Sequence, residues 1–161
     1  MRTLNALRLG GAAVAWAVLL TGCGLVKSPA DGLTFAAPYG WQPSTPVGDV
    51  ARAWISPSGP SESMTLFRFP KELDLNDAAA DENFNNTHFS SKQRITICGN
   101  QPATYLIGTR TSPDTGTVLN VRAVVTNTNG ATYRAIYFYP PTTLPNGEAL
   151  AALRQLCPAK A

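Results

Sequence analysis

The chain has 161 residues, 44% of them hydrophobic and 14% charged, with 13 Gly, 13 Pro, three Cys and a single His. A formal net charge of +3 is far too small for a nucleic-acid binder, whose affinity rests on many clustered phosphate contacts, and the apolar share is too high for a disordered chain. Collagen-like, coiled-coil and multi-span membrane architectures fail on the same figures, which leaves one modest folded unit.

Met1 to Gly10 carries Arg2 and Arg8 and no acid, and Ala12 to Leu20 is apolar. The apolar run is about half of the ~20 residues that a spanning helix needs, so residues 1–22 read as a signal peptide. Leu20-Thr21-Gly22-Cys23 resembles the bacterial lipobox: small side chains let a membrane-embedded peptidase reach the bond, and the Cys23 thiol takes a diacylglyceryl group as a thioether. An ordinary secretory leader holding a chance Cys is the alternative. Each buried acyl methylene is worth ~0.8 kcal/mol, so two or three chains on Cys23 hold a protein at a membrane essentially permanently. Gly24, in place of the Asp that resembles an inner-membrane retention signal, favours the outer membrane facing the periplasm in a Gram-negative host, and otherwise the outer face of the cytoplasmic membrane. Residues 23–32 form a lipidated tether of about 17 Å if flexible, and 33–161 form the domain. Loss of Arg2 and Arg8 with the leader lowers the side-chain charge by two.

Along the domain, Leu33 to Ala36 reads as a strand closed by the turn Ala37-Pro38-Tyr39-Gly40. Val50 to Ile55 and Ser63 to Phe69 read as a hairpin around Ser56-Pro57-Ser58-Gly59-Pro60. Leu73 to Phe84 predicts a short helix, with Asp74 or Asn76 as cap and Ala78-Ala79-Ala80 as helix formers. Gln93 to Cys98, Thr104 to Arg110 and Thr117 to Thr126 alternate apolar and polar residues, and Ala131 to Tyr139 carries apolar groups on both sides. Turn signals at Gly99-Asn100, Pro113 to Gly116 and Asn129-Gly130 join these four strands into an antiparallel meander, which Pro140-Pro141 ends. Asn146 to Leu156 predicts a C-terminal helix capped by Asn146, with Leu150, Leu153 and Cys157 on its packed face.

Export places the chain in an oxidising compartment, and lipidation removes Cys23 from the thiol count, so Cys98 and Cys157 are expected to form a disulfide that pins the last helix to a strand end. Closing a loop of about 60 residues is worth at most ~4 kcal/mol in the chain-entropy account. Two buried free thiols are the competing reading.

Little chemistry is written in the side chains. His88 lies in a polar connection, and neither a Gly-x-Ser-x-Gly elbow nor a Ser-x-x-Lys pair accompanies it, so a solvated loop residue is the default. Asp74, Asp77, Asp81 and Glu82 lack the spacing of a calcium loop and suit a solvated helix face. No metal site and no cofactor is expected. The aromatics Tyr39, Trp41 and Trp54, with Tyr133, Tyr137, Phe138 and Tyr139, either form core or line a ligand surface. Arg122 and Arg134, expected opposite each other on adjoining strands across the Asn129-Gly130 turn, make either a small anionic-ligand patch or a solvated face, and with Tyr39, Trp41 and Trp54 they are the candidate binding surface.

This order of elements, together with Phe35-x-x-Pro38-x-Gly40-Trp41, resembles the PsbP-like α/β/α sandwich of small bacterial lipoproteins of the DcrB and LpqN kind, over residues 33 to 157. The resemblance implies an α+β fold with an antiparallel sheet of about six to seven strands, a short helix after the N-terminal hairpin and a C-terminal helix. It carries no catalytic residue across, because the family is regarded as accessory or binding proteins. The expectation is a lipid-anchored, non-catalytic envelope protein that binds an envelope protein or a small ligand. A membrane-tethered hydrolase with unidentified catalytic residues is the alternative.

Overall fold

The structure, a computed structural model, describes residues 33–76 and 86–158. The leader, Cys23, the tether and most of the helix expected over Leu73 to Phe84 lie outside the described residues. Of that span only residues 73–76 are described, and they are not helical: they form a turn in which the Asp74 carboxylate accepts from the Asn76 backbone N–H at 2.8 Å.

Nine strands and one helix follow in chain order among the described residues: β1 (Leu33–Thr34), β2 (Gln42–Ser44), β3 (Val50–Ser56), β4 (Gly59–Phe69), β5 (Thr87–Ile97), β6 (Gln101–Thr111), β7 (Val118–Thr128), β8 (Ala131–Tyr139), α1 (Gly147–Leu153) and β9 (Cys157–Pro158). Seven strands make one sheet in the order β2-β3-β4-β8-β7-β6-β5, and β1 pairs with β9 in a small second sheet. All pairings are antiparallel. The chain leaves β4 in the middle of the sheet, crosses to the far edge, and returns through the expected meander until β8 closes against β4. The tightest link in that meander is Asn129-Gly130, where both residues take positive φ (52° and 72°), the backbone that a two-residue hairpin turn requires.

Alternation along β8 gives the sheet two buried faces. Tyr133, Ala135, Tyr137 and Tyr139 join Leu33, Trp41, Met64, Leu66, Ala149, Leu153 and Leu156 on the first face, beneath α1 and the β1–β9 pair. Ile136 and Phe138 join Phe67, Phe89, Leu106, Val121, Ala123 and Val125 on the second. Burying one such aliphatic side chain is worth about 1.5–3 kcal/mol, so both faces contribute to the stability of one sheet.

A bulge decides which face β5 serves. Register shifts between Phe89 and Ser91, so Phe89 packs on the second face while Ile97, of the same parity, packs on the first. Opposite the bulge stands Gly108, where a Cβ would strike the carbonyl oxygen of His88. The strand therefore begins at Thr87, six residues before the expected start at Gln93, and His88 is an exposed strand residue, not a loop residue. Polar side chains at Ser90, Ser91, Lys92 and Gln93 hide the strand from any search for apolar alternation.

Two further expectations shift. Strand β2 was not anticipated, because Pro43 disfavours a strand except at a sheet edge, which is where it lies. The C-terminal helix is shorter than expected: α1 ends at Leu153, and Cys157 lies on β9, where it pairs with Thr34. Pro158 follows Cys157 and removes the N–H that a continuing helix would need. The Cys98–Cys157 disulfide is present, with Cα atoms 5.6 Å apart, and ties β9 to the β5–β6 turn.

Candidate functional site

The residues singled out from sequence do not come together on one surface. Tyr39 is 82% exposed, whereas Trp41 is 7% exposed and packs at 6.1 Å from the Tyr137 ring. Trp54 is half-buried against Phe35 at 5.5 Å. Arg122 and Arg134 are not opposite: the hairpin pairs Arg122 with Tyr137 and Arg134 with Val125. Side chains alternate along a strand, so this register sends the two arginines to opposite faces and no joint anion patch forms. Arg122 lies half-buried over the Tyr139 ring at 5.9 Å, on the first face. Arg134 is fully buried on the second face, 5.4 Å from the Phe69 ring.

On the first face the polar groups answer one another. Glu62 on β4 accepts from the Tyr137 hydroxyl and from the Ser56 hydroxyl, both at 2.7 Å. The Tyr137 oxygen in turn accepts from the Asn146 backbone N–H at 2.9 Å, and the Asn146 side chain caps α1 by accepting from Glu148 and Ala149. Burial pushes the Tyr137 phenol well above its ordinary value; the Asn146 N–H pulls the other way, and the Glu62 carboxylate raises it further. Burial also raises Tyr105, against the lowering influence of Arg122 and Arg154. A depression of about 390 Å³ beside this network is lined by Ser58, Glu62, Leu144 and Asn146, among others. Its carboxylate and its cap are already engaged within the fold. The Ser56 hydroxyl, spent on Glu62, stands on the far side of the sheet from His88. Ser56 ends β3 and His88 lies on β5, five strands apart, roughly 24 Å, so no serine–histidine pair is assembled there.

The second face differs. The described residues 70–76 cross only one end of it: Leu73 donates its N–H to Thr132 at 2.8 Å, and Thr104 donates to the Leu75 carbonyl at 2.9 Å. At the other end a cavity of about 450 Å³ opens between the loop at Val47, Gly48 and Asp49 and the strand ends. Its apolar wall is Val50, Phe67, Ile136 and Phe138; its polar wall is Thr65, Thr87 and Arg110. Register explains the grouping, since Thr87 pairs directly with Arg110 and Thr65 with Ile136. The Arg110 guanidinium lies 5.2 Å from the Phe138 ring centroid. Among the described residues, Thr65 Oγ1, Thr87 Oγ1 and Arg110 Nε are buried and meet no hydrogen-bond partner. Leaving such an atom unsatisfied costs about 1–3 kcal/mol, and three of them share one wall.

Of the cavity residues only Phe138 was among the aromatics weighed from sequence as a ligand surface; Thr65, Thr87 and Arg110 were not singled out. Thr65, Thr87 and Arg110 stand on three strands, and only the β4–β8 closure and the early start of β5 bring them together. The volume suits a metabolite-sized guest and lies within the ~300–1,000 Å³ range of small-molecule sites.

The chain matches no protein-family model and no curated protein. Among solved structures it is similar to the cyanobacterial PsbP protein CyanoP from Synechocystis sp. PCC 6803, with a TM-score of 0.52 at 15% identity over 76% of this chain and 87% of that one. A Pseudomonas aeruginosa protein of unknown function, described as a putative regulator, aligns with a TM-score of 0.40 at 14% identity over 66% of this chain and 81% of that one. The fold is thus PsbP-like.

Proposed function

We propose that this chain is a lipid-anchored envelope protein whose domain acts by binding, held at the membrane surface by acyl chains on Cys23. The observation that carries the binding half is the second-face cavity, in which the Nε of a half-buried arginine and two threonine hydroxyls are buried beside four apolar side chains. A wall of that kind offers recognition without a nucleophile paired to a base. The anchoring half rests on the basic start, the short apolar run and Leu20-Thr21-Gly22-Cys23. The same reading favours the outer membrane facing the periplasm in a Gram-negative host, with an envelope protein or a small molecule as partner.

Cells grown with a fatty-acid analogue supply the test. Intact mass of the purified chain is expected to show acyl chains on Cys23, and Cys23→Ala is expected to leave the membrane fraction. An unmodified Cys23 thiol in the mature protein refutes the anchor.

A further inference from the structure

Resting on the reading of the second-face cavity as a binding site, we infer that its ligand is a small monoanion: a carboxylate head on a compact apolar body. Four observations lead there. Arg110, half-buried, is the cation among the described lining residues, and a guanidinium offers carboxylate oxygens paired donors in a fixed plane. Thr87, only 1% exposed, and Thr65 each keep a hydroxyl without a partner among the described residues, and a hydroxyl can donate to the same head group. Phe67, Phe138, Ile136 and Val50 supply an apolar wall for the rest of the molecule. Asp49, exposed at the rim, disfavours added negative charge: a carboxylate brings one charge to the Arg110–Asp49 pair, whereas a phosphate monoester, nearly dianionic at neutral pH, brings about two and is repelled more.

The guest fits by complementing what the fold leaves open. Buried polar atoms are normally paired, and charged hydrogen bonds contribute more than neutral ones, so a carboxylate gains most at Arg110 and less at each hydroxyl. A neutral analogue of the same shape keeps the apolar contacts and loses the charge-assisted bonds. A cation of that shape meets Arg110 as a like charge and is rejected outright.

Phenylacetate, 2-phenylethanol and 2-phenylethylammonium share one carbon skeleton and differ only in the head group, so they form the probe set. The mature, lipidated chain in phosphatidylcholine vesicles is titrated with each by calorimetry, with empty vesicles as the blank. Phenylacetate is expected to bind at least about tenfold more tightly than either of the others. Arg110→Gln is expected to lose at least about tenfold for phenylacetate and nothing for 2-phenylethanol, Arg110→Lys to recover part of the loss, and Thr87→Val to lose roughly fivefold. Equal affinity for all three probes overturns the anion assignment, and so does an unchanged phenylacetate affinity in Arg110→Gln. Absence of binding by all three up to 10-millimolar concentrations, on the order of the weakest specific site, overturns it as well. If Arg110→Gln fails to fold, the head-group ranking on the unaltered chain decides alone. Acylation of Cys23 and membrane retention are read on the same sample, so a chain that is anchored but indifferent to head group refutes the ligand class and leaves the anchor standing.

Discussion

On the first face of the sheet the Tyr137 hydroxyl donates to Glu62 and accepts from Asn146, while on the second face the Thr87 hydroxyl, equally buried, meets no partner among the described residues. Both side chains rise from central or edge strands of one sheet, so strand chemistry does not separate them. What separates them among the described residues is the set of partners laid over each face. The first face lies under α1, whose cap residue reaches down to Tyr137, and under β1–β9, which the disulfide fastens to the β5–β6 turn. A closed face has to satisfy its polar groups internally, because a buried unpaired group costs the full desolvation penalty. A face that retains buried, unsatisfied donors is poised to gain when something supplies acceptors.

The largest effect expected from disturbing this contrast concerns the cover itself. Replacing both Cys98 and Cys157 with Ser removes a cross-link spanning 59 residues and is expected to cost about 2–5 kcal/mol in urea unfolding. Amide exchange is expected to quicken in α1 and β9 first; a uniform rise across β5 and β6 as well would show that the bridge does not act on the first-face cover.

Next comes the bulge that assigns β5 to both faces. Gly108→Ala places a methyl group against the His88 carbonyl and is expected to destabilise by about 1–3 kcal/mol. Retention of full stability in that variant would mean that the register at Phe89 and Ser91 is not the one described.

Alkaline pH is expected to weaken the first face selectively. Tyr137 and Tyr105 both have folded-state pKa values raised above the ordinary tyrosine value of 10.0. Between the two values the folded state holds a proton that the unfolded state releases, so their contribution is intact below pH 10 and is lost as pH rises above it. The melting temperature is expected to fall above pH 10, with a gentler slope in Tyr137→Phe. An identical slope in that variant would remove Tyr137 from the account.

How much of this could be read in the sequence follows from the same physics. β8 was legible because its residues are apolar on both sides, and the Asn129-Gly130 turn fixed where it begins. The cysteine pairing was legible because only two thiols remained to meet. The position of Cys157 was not, since helical spacing from Leu150 and Leu153 continues past the point where Pro158 and the pairing with β1 end the helix. The arginine patch failed on parity: Arg122 and Arg134 flank a two-residue turn, and counting from Thr128 and Ala131 puts them on opposite faces. The cavity was invisible for a deeper reason. Thr65, Thr87 and Arg110 each look unremarkable in their own strand, and nothing local announces that β8 will pair with β4 or that a bulge lets β5 begin at Thr87.

The account's central claim is that Thr65, Thr87 and Arg110 on the second face hold buried polar atoms with no partner among the described residues, and matched deletions measure it most directly. Tyr137→Phe and Thr87→Val each remove one buried hydroxyl at nearly constant volume, and their unfolding free energies are compared in urea. Tyr137→Phe is expected to cost about 1–3 kcal/mol, because it strands the Glu62 carboxylate and the Asn146 N–H. Thr87→Val is expected to be neutral or stabilising by up to about 1 kcal/mol, because it removes a hydroxyl with no partner among the described residues from a strand that favours Val. A loss in Thr87→Val as large as that in Tyr137→Phe would show that the Thr87 hydroxyl is bonded within the folded chain and would contradict the reading of this face as a binding surface.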